Sequence, residues 1–211
     1  GRAGNLKPLA KSLGERVADF FSLFLAFATR IVFSRYIYEN VLSTPTAKIC
    51  HSITEIDAAD WDRCADGSGV YNPFTRHAFL QALETSGSVG DDTGWQPFHV
   101  AVEHGGQLIG VAPMYLKSHS QGEYVFDYAW ADAAHRSGLP YYPKLVSGVP
   151  FTPVTGRKFL VGPDADSIAV REALLMGARQ AVEDEPGTGL HWLFLTSSEA
   201  DFLSSQGVPV R

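Results

Sequence analysis

Two acidic residues in the middle of the chain, Glu123 and Asp127, are spaced so that their side chains could act together. On a helix, residues four apart share one face, and two carboxylates there could accept a proton or bind the amine of a substrate. Lys117 and Lys144 flank the pair along the chain. A second interpretation is therefore that the carboxylates cap a helix or pair with these lysines as a structural network. Residue types and spacing leave both interpretations open.

Aromatic side chains with polar groups are concentrated around these carboxylates. Tyrosine and tryptophan bring a hydrogen-bonding group to an apolar wall, which suits the lining of a pocket, but they also pack cores with that group satisfied. Lys144, which follows Pro143, could bind a carboxylate or a phosphate, or it could lie on the surface. The five aromatic residues are Tyr124, Tyr128, Trp130, Tyr141 and Tyr142.

The loop 150–156 (PFTPVTG) has the composition of a rigid segment beside a binding site. Its two prolines restrict the backbone, its threonines offer hydroxyl groups, and Gly156 permits a positive φ or a close approach of a ligand. The alternative is a simple connection between two strands. The candidate catalytic residues are thus Glu123 and Asp127, and the candidate substrate-binding residues are Lys117, Tyr124, Tyr142, Lys144, Thr152 and Thr155.

Several classes of chemistry find no support in the sequence. Cys50 and Cys64 are the only cysteines, and the seven histidines are scattered, so no metal site and no disulfide framework is predicted. Neither Ser120 nor Ser147 lies in a G-x-S-x-G motif, which argues against a serine hydrolase. Residues 51–211 carry a net charge of −10, which argues against a nucleic-acid surface.

The elements that must position the candidate residues alternate between helix and strand signals. Gly105 and Gly106 predict a hairpin turn between strands at 97–103 and 107–116. The apolar run 190–195 has the length of a strand that is buried on both faces. This order predicts a mixed α/β fold with an antiparallel-rich sheet flanked by helices. Helices are predicted at 57–64, 72–85, 127–136, 167–183 and 198–206, and further strands at 48–53, 145–149 and 158–161. On the helix at 167–183, Ile168 is expected to face inward.

Residues 47–211 resemble the amino-terminal half of the FemAB-like predicted N-acyltransferases of the GNAT superfamily. The resemblance implies a GNAT-like domain over these residues. The sequence blocks that carry it are 72–74 (NPF), 87–90 (GSVG), 94–97 (GWQP), 112–127 (APMYLKSHSQGEYVFD), 141–145 (YYPKL) and 149–156 (VPFTPVTG).

The resemblance also implies a function, the transfer of an acyl or aminoacyl group to an amine. The donor would be an acyl-CoA or an aminoacyl-tRNA, and Glu123 or Asp127 would accept the proton of the amine. The Q/R-x-x-G-x-G/A loop that binds coenzyme A in GNAT enzymes is absent, which argues against autonomous coenzyme A binding. Such proteins resemble two GNAT-type units in tandem. We therefore expect a fragment that lacks its second GNAT-like half, or a half-length relative.

Residues 1–46 form a basic, apolar extension before the resemblance begins. Residues 1–50 carry seven Lys and Arg against three Asp and Glu, and the chain opens with Gly1, which predicts a processed organelle precursor. The organelle would be a chloroplast or a mitochondrion, and a cytoplasmic location is the alternative. The break at 43–45 (STP) predicts a boundary between this extension and the domain 47–211.

A helix predicted over 13–42 is apolar on nearly all sides. It could pack on the domain or on a partner subunit, lie on a membrane surface, or span a membrane with Arg30 at an interface or paired. Its most apolar run, 20–33, is shorter than the roughly 20 residues that span a bilayer. This helix suggests an alternative function, a non-catalytic accessory subunit that docks on an organelle membrane-protein complex.

Overall fold

The computed structural model describes residues 44–67, 69–184 and 189–210. The predicted helix at 13–42 lies outside these residues. The accessory-subunit, membrane and organelle hypotheses that rest on the amino-terminal extension therefore stay predictions. Within the described ranges, no helix combines the length and the apolar character needed to cross a membrane.

Helices and strands alternate along the described chain. The strands are β1 (Thr46–Cys50), β2 (Trp95–Pro97), β3 (His99–His104), β4 (Gln107–Ala112), β5 (Met114–Lys117), β6 (Lys144–Ser147), β7 (Leu160–Val161) and β8 (Leu190–Trp192). The α-helices are α1 (Ala58–Asp66), α2 (His77–Thr85), α3 (Tyr128–Arg136), α4 (Ser167–Asp184) and α5 (Ser197–Ser205), with 3₁₀ turns at Ile53–Glu55 and Pro73–Thr75.

One long hairpin is the centre of the fold. Strands β2 and β3 form one arm and β4 and β5 form the other; their register is continuous across Pro113 and shifts by one residue at a bulge between Val102 and Glu103. Pro113 has no N–H to donate and interrupts the ladder between β4 and β5. At the turn, Gly105 and Gly106 have φ values of 58° and 77°, as a type I′ turn requires. The predicted hairpin is confirmed.

The interruption at Pro113 divides the pairing into two four-stranded sheets. The first has the order β1-β3-β4-β7 and is antiparallel throughout. The second has the order β2-β5-β6-β8, in which only β6 and β8 are parallel. These sheets and the helices around them confirm the mixed α/β architecture with antiparallel-rich sheets.

Successive residues of the first sheet point to opposite faces, and a helix covers each face. Val100 and Val102 belong to the core cluster that includes α4, whereas Ala101 and Val111 belong to the cluster that includes α1. Gly110 lets α4 approach closely, since a Cβ there would lie 2.2 Å from a methyl carbon of Val170. The two clusters fix the orientation of the hairpin whose far end carries the candidate site.

Two helix predictions need correction. The predicted helix 72–85 is divided into a 3₁₀ turn and α2, because Arg76 adopts an extended backbone with ψ 144°. Ile168 was predicted to face inward but is 63% exposed. The buried stripe of α4 runs through Val170, Leu174, Ala178 and Ala181 at helical spacing, and Ile168 lies outside it.

The predicted strand 190–195 is shorter and less buried than expected. It pairs only over Leu190–Trp192 and ends before Phe194, whose φ of 53° is incompatible with an extended strand. Its side chains are half-buried because β8 is an edge strand of the second sheet. The prediction of burial on both faces is therefore wrong.

Glu199 ties the start of α5 to the segment before β7, and its side chain is fully buried. One carboxylate oxygen accepts hydrogen bonds from the backbone N–H groups of Lys158 and Phe159, each at 2.8 Å. The other accepts from the N–H and the hydroxyl of Thr196, at 3.2 and 2.9 Å. All four donors therefore depend on two acceptor oxygens of one side chain.

Replacing Glu199 with glutamine should lower the free energy of unfolding by about 2–3 kcal/mol, because the amide NH₂ cannot accept from one of the two donor pairs. Urea denaturation followed by circular dichroism measures the change. Glu172→Gln is the matched control on the exposed face of α4, where a change within about 0.5 kcal/mol is expected. A loss below about 1 kcal/mol for Glu199→Gln would contradict the assigned role.

Candidate functional site

The two candidate carboxylates do not share a helix, which corrects the first prediction. Glu123 lies in the loop after β5, and Asp127 is the residue immediately before α3. Gly122, Tyr124 and Phe126 have φ values of 80°, 61° and 53°, which a right-handed helix cannot contain. The loop brings the two carboxylates together by folding back on itself.

Both carboxylates meet the amine of Lys144, the first residue of β6. Its Nζ donates to Glu123 Oε2 at 2.8 Å and also to Asp127 Oδ2. The side chains of Lys144, Glu123 and Asp127 are 1%, 0% and 7% exposed. This is the lysine pairing that the second interpretation of the sequence expects.

Lys117 supplies a second buried amine to the same cluster. It is the last residue of β5 and lies opposite Lys144 in the strand register. Its Nζ lies 3.7 Å from Glu123 Oε1 and 3.8 Å from the centre of the Trp95 ring, and it donates to the carbonyl of Gln121. Two cations and two anions thus form one buried cluster, which we call the carboxylate–lysine cluster: Lys117, Glu123, Asp127 and Lys144.

Asp127 has further hydrogen-bond partners besides Lys144. The hydroxyl of Tyr141 donates to Oδ2 at 3.0 Å, and the hydroxyl of Tyr142 lies 3.4 Å from both carboxylate oxygens. Tyr142 also hydrogen-bonds to Ser120. Burial would raise the pKa of Asp127, but the hydrogen bond from Lys144 and the other donors outweigh it, so its pKa lies below the usual value. Asp127 is therefore an anion that holds Lys144 and the two tyrosine hydroxyls in place.

Glu123 is in a different electrostatic environment. Burial raises its pKa above the usual value, and the hydrogen bond from Lys144 only partly opposes that effect. Within the described part of the chain its Oε1 atom has no hydrogen-bond partner, and Lys117 is the cation beside it. Two neighbouring carboxyl groups whose pKa values are pushed apart are suited to different roles in proton transfer.

A lysine, a histidine and a tyrosine of the site also have shifted pKa values. Burial lowers the pKa of Lys117 to about 8, although the charge of Glu123 acts in the opposite direction. Burial and the nearby charge of Lys144 lower the pKa of His191, on β8, to about 4, so its ring is neutral at pH 7. Burial raises the pKa of Tyr142 to about 12, which keeps its hydroxyl a donor. Near neutral pH, Lys117 can release a proton more readily than an exposed lysine.

The remaining candidate residues lie outside the cluster. Tyr124 is 50% exposed, the hydroxyl of Thr152 donates to the carbonyl of Pro150 at 3.1 Å, and Thr155 lines a separate cavity. Among the residues that the structure describes, none of these three hydrogen-bonds to the cluster. Tyr128 and Trp130 are also more than half exposed, so they line neither a core nor a closed pocket.

Three contributors to the site were not among the predicted residues. The Trp95 ring contacts Lys117 across the hairpin, and Ser120 hydrogen-bonds to Tyr142 from the loop after β5. His191, on the neighbouring strand, packs its ring against Tyr141 and is close enough to Lys144 for its pKa to be affected. Trp95 and His191 were not predicted because they are far from the cluster along the chain. Only the strand register could have indicated their positions. The described ranges contain no group of three or more His, Cys, Asp or Glu side chains that could hold a metal ion.

The chain is similar to known proteins in its sequence and in its structure. A family model named FemAB-like, and described as peptidoglycan biosynthesis/recognition, matches residues 52–211. The structure is similar to that of the ribosomal-protein-alanine N-acetyltransferase from Brucella melitensis biovar Abortus 2308. The two are 12% identical with a TM-score of 0.47, over 80% of this chain and 94% of that chain. Such a distant likeness bears on neither substrate nor mechanism. No curated protein matches the sequence significantly.

Proposed function

Because the chain belongs to the FemAB-like family, we propose that residues 47–211 act in acyl transfer to an amine, with Glu123 as the proton acceptor. An amine attacks an acyl carbon only as the free base, so a neighbouring group must take its proton. The observation that carries the proposal is the buried Oε1 atom of Glu123, which has no hydrogen-bond partner among the described residues.

The reaction balances with an acyl or aminoacyl donor and no further reactant. The amine nitrogen forms a bond to the acyl carbon, and the bond from that carbon to the sulfur or ester oxygen of the donor breaks. The proton of the amine passes to Glu123, and the departing sulfur or oxygen takes up a proton. The pKa of Glu123 is raised toward neutral pH compared with that of an exposed carboxyl group. A general base works best when its pKa is close to the operating pH, which favours Glu123 as the base.

The other members of the cluster have positioning roles in this proposal. Lys144 holds the second oxygen of Glu123, so that Oε1 is the oxygen left for a substrate. Asp127 stays ionised and holds Lys144 in place, and the hydroxyls of Tyr141 and Tyr142 in turn donate to Asp127. Lys117, with a pKa of about 8, is a second group that can exchange protons with Glu123.

A transfer assay on the 211-residue chain tests the proposal. Acetyl-CoA and aminoacyl-tRNA serve as alternative donors, and a lysine-containing peptide serves as the acceptor, because the family description makes peptide amines the first class to try. We expect a peptide whose mass has grown by one acyl or aminoacyl group, with equal release of free donor carrier. The absence of both product and calorimetric binding with either donor would contradict the proposal.

A further inference from the structure

A cavity of about 460 Å³ is lined by residues that do not belong to the carboxylate–lysine cluster. Three segments line it, namely 70–75 before α2, 154–157 before β7, and the start of α5 at Thr196 and Ser198. Pockets that hold small molecules typically measure about 300–1,000 Å³. The size of the cavity is therefore that of a ligand site.

Arg157 brings a positive charge to this cavity. Its guanidinium donates to the carbonyl of Ala65, and within the described ranges no carboxylate lies within ion-pair distance of it. The buried Glu199 is near enough to act on Arg157 electrostatically, but its two oxygens already accept four hydrogen bonds. Burial lowers the pKa of Arg157, because lost hydration of the cation is not fully replaced. The guanidinium retains donors for an anion.

Other polar groups converge on the cavity with Arg157. Thr155, Thr196 and Ser198 are among its lining residues. The last two lie at the start of α5, where the helix dipole favours negative charge, and the Thr196 hydroxyl also donates to Glu199. Gly156 leaves room for the Asn72 amide, since a Cβ on Gly156 would lie 2.5 Å from Asn72 Nδ2. This wall combines a cation, a helix start and neutral hydrogen-bonding groups.

The other lining residues include apolar and aromatic side chains. Val70, Tyr71, Phe74 and Val154 contribute to it, and Tyr71 and Val154 are 70% and 38% exposed at their positions. Exposed apolar side chains beside a cationic wall suit a ligand with one anionic group and one apolar arm. The two parts of the lining therefore specify different parts of one molecule.

We propose that this cavity binds a small organic anion, with its carboxylate or phosphate at Arg157 and the start of α5 and its apolar arm against Tyr71, Phe74 and Val154. The guanidinium suits either oxyanion, since both present two oxygens to its planar fork. The site does not depend on proton transfer at Glu123.

The first experiment uses the isotope-labelled 211-residue chain and matched probes. Phenylacetate and phenyl phosphate carry the two anionic groups on an aromatic arm, whereas phenylacetamide has the shape of phenylacetate without its charge. In NMR titrations we expect at least one anion to bind about tenfold or more tightly than phenylacetamide, with shift changes centred on 70–75, 154–157 and 196–198. The tighter of the two anions identifies the preferred group. Equal affinity for the anions and phenylacetamide, or shift changes centred elsewhere, would overturn the proposal.

A second experiment tests Arg157 itself. Arg157→Gln should weaken binding of the preferred anion about tenfold or more and leave phenylacetamide unchanged. Arg136→Gln is the control, because Arg136 is 70% exposed on α3 and pairs with Asp132. In the unmodified chain, the anion should also slow the reaction of Arg157 with phenylglyoxal, as read by peptide mass, but not that of Arg136. Lack of protection at Arg157 would refute the site even if the variant fails to fold.

Discussion

Replacing Lys144 with methionine is expected to lower the free energy of unfolding by about 3–5 kcal/mol at pH 7, because it removes one partner from a buried ionic cluster. Methionine nearly preserves the volume but leaves Glu123 and Asp127 buried together without the amine that bonds to both. Lys117 compensates only in part, because its Nζ lies 3.7 Å from Glu123 Oε1, which is longer than a hydrogen bond. Urea unfolding monitored by circular dichroism measures the loss.

The effect of Lys144→Met should depend on pH in a defined direction. Without the amine, the pKa of each buried carboxyl rises above its unfolded value, so the destabilisation is present above the raised pKa. It fades as the pH falls through that raised pKa toward the unfolded values near 4, because both carboxyl groups then become neutral in the folded variant. Unfolding at pH 7 and at pH 4.5 should therefore show a smaller loss at the lower pH.

Lys48→Met is the matched control for that prediction. Lys48 also pairs with a carboxylate, Glu103, but the two side chains are 50% and 36% exposed. Exposed ion pairs contribute about 0–1 kcal/mol, so this change should cost less than about 1 kcal/mol. An equally small loss for Lys144→Met at pH 7 would show that the buried cluster does not hold the loop after β5 in place.

The hairpin could be predicted because its determinants are local. Two adjacent glycines supply the positive φ values of the turn, and alternating apolar residues supply the strands. The register could not be predicted in the same way. A bulge at Val102 and Glu103 shifts the pairing by one residue, so that Trp95 lies opposite Lys117 and not opposite Leu116. A one-residue shift of this kind decides which side chain reaches the cluster.

The residues of the cluster were easier to predict than their arrangement. Charged side chains close together in an aromatic-rich stretch identified Lys117, Glu123, Asp127 and Lys144 as candidates, whereas helical spacing suggested the wrong backbone. Tyr124 and Phe126 adopt left-handed conformations that aromatic residues rarely occupy. Tertiary contacts must stabilise that backbone, since the local preference of these residues opposes it.

The lining of the cavity at Arg157 could also be predicted only in part from the sequence. Thr155 was selected from the composition of its loop, and the structure places it in the lining. Its neighbours there come from segments about 40 and 80 residues away along the chain, which no local pattern connects. Non-local packing, which single-sequence patterns do not encode, determines which polar groups share a cavity.

Replacing Glu123 with glutamine is expected to reduce the rate of acyl transfer by about 10²–10⁴-fold, the usual contribution of a positioned general base. Glutamine keeps the shape of the side chain and can still accept the hydrogen bond from Lys144, but it cannot take the proton of the attacking amine. The measurement is kcat/KM across a pH series, with circular dichroism to show that the variant is folded. This prediction rests on the proposed function.

The pH profile separates a catalytic role for Glu123 from a structural one. In the unmodified chain, kcat/KM should rise with pH as Glu123 loses its proton, and Glu123→Gln should lose that limb. Asp127→Asn is the positioning comparison. The charge of Asp127 helps to raise the pKa of Glu123, so its removal should shift the limb to lower pH without abolishing it. A merely structural Glu123 would leave the limb in place in the folded glutamine variant, with a rate within about tenfold of the unmodified chain.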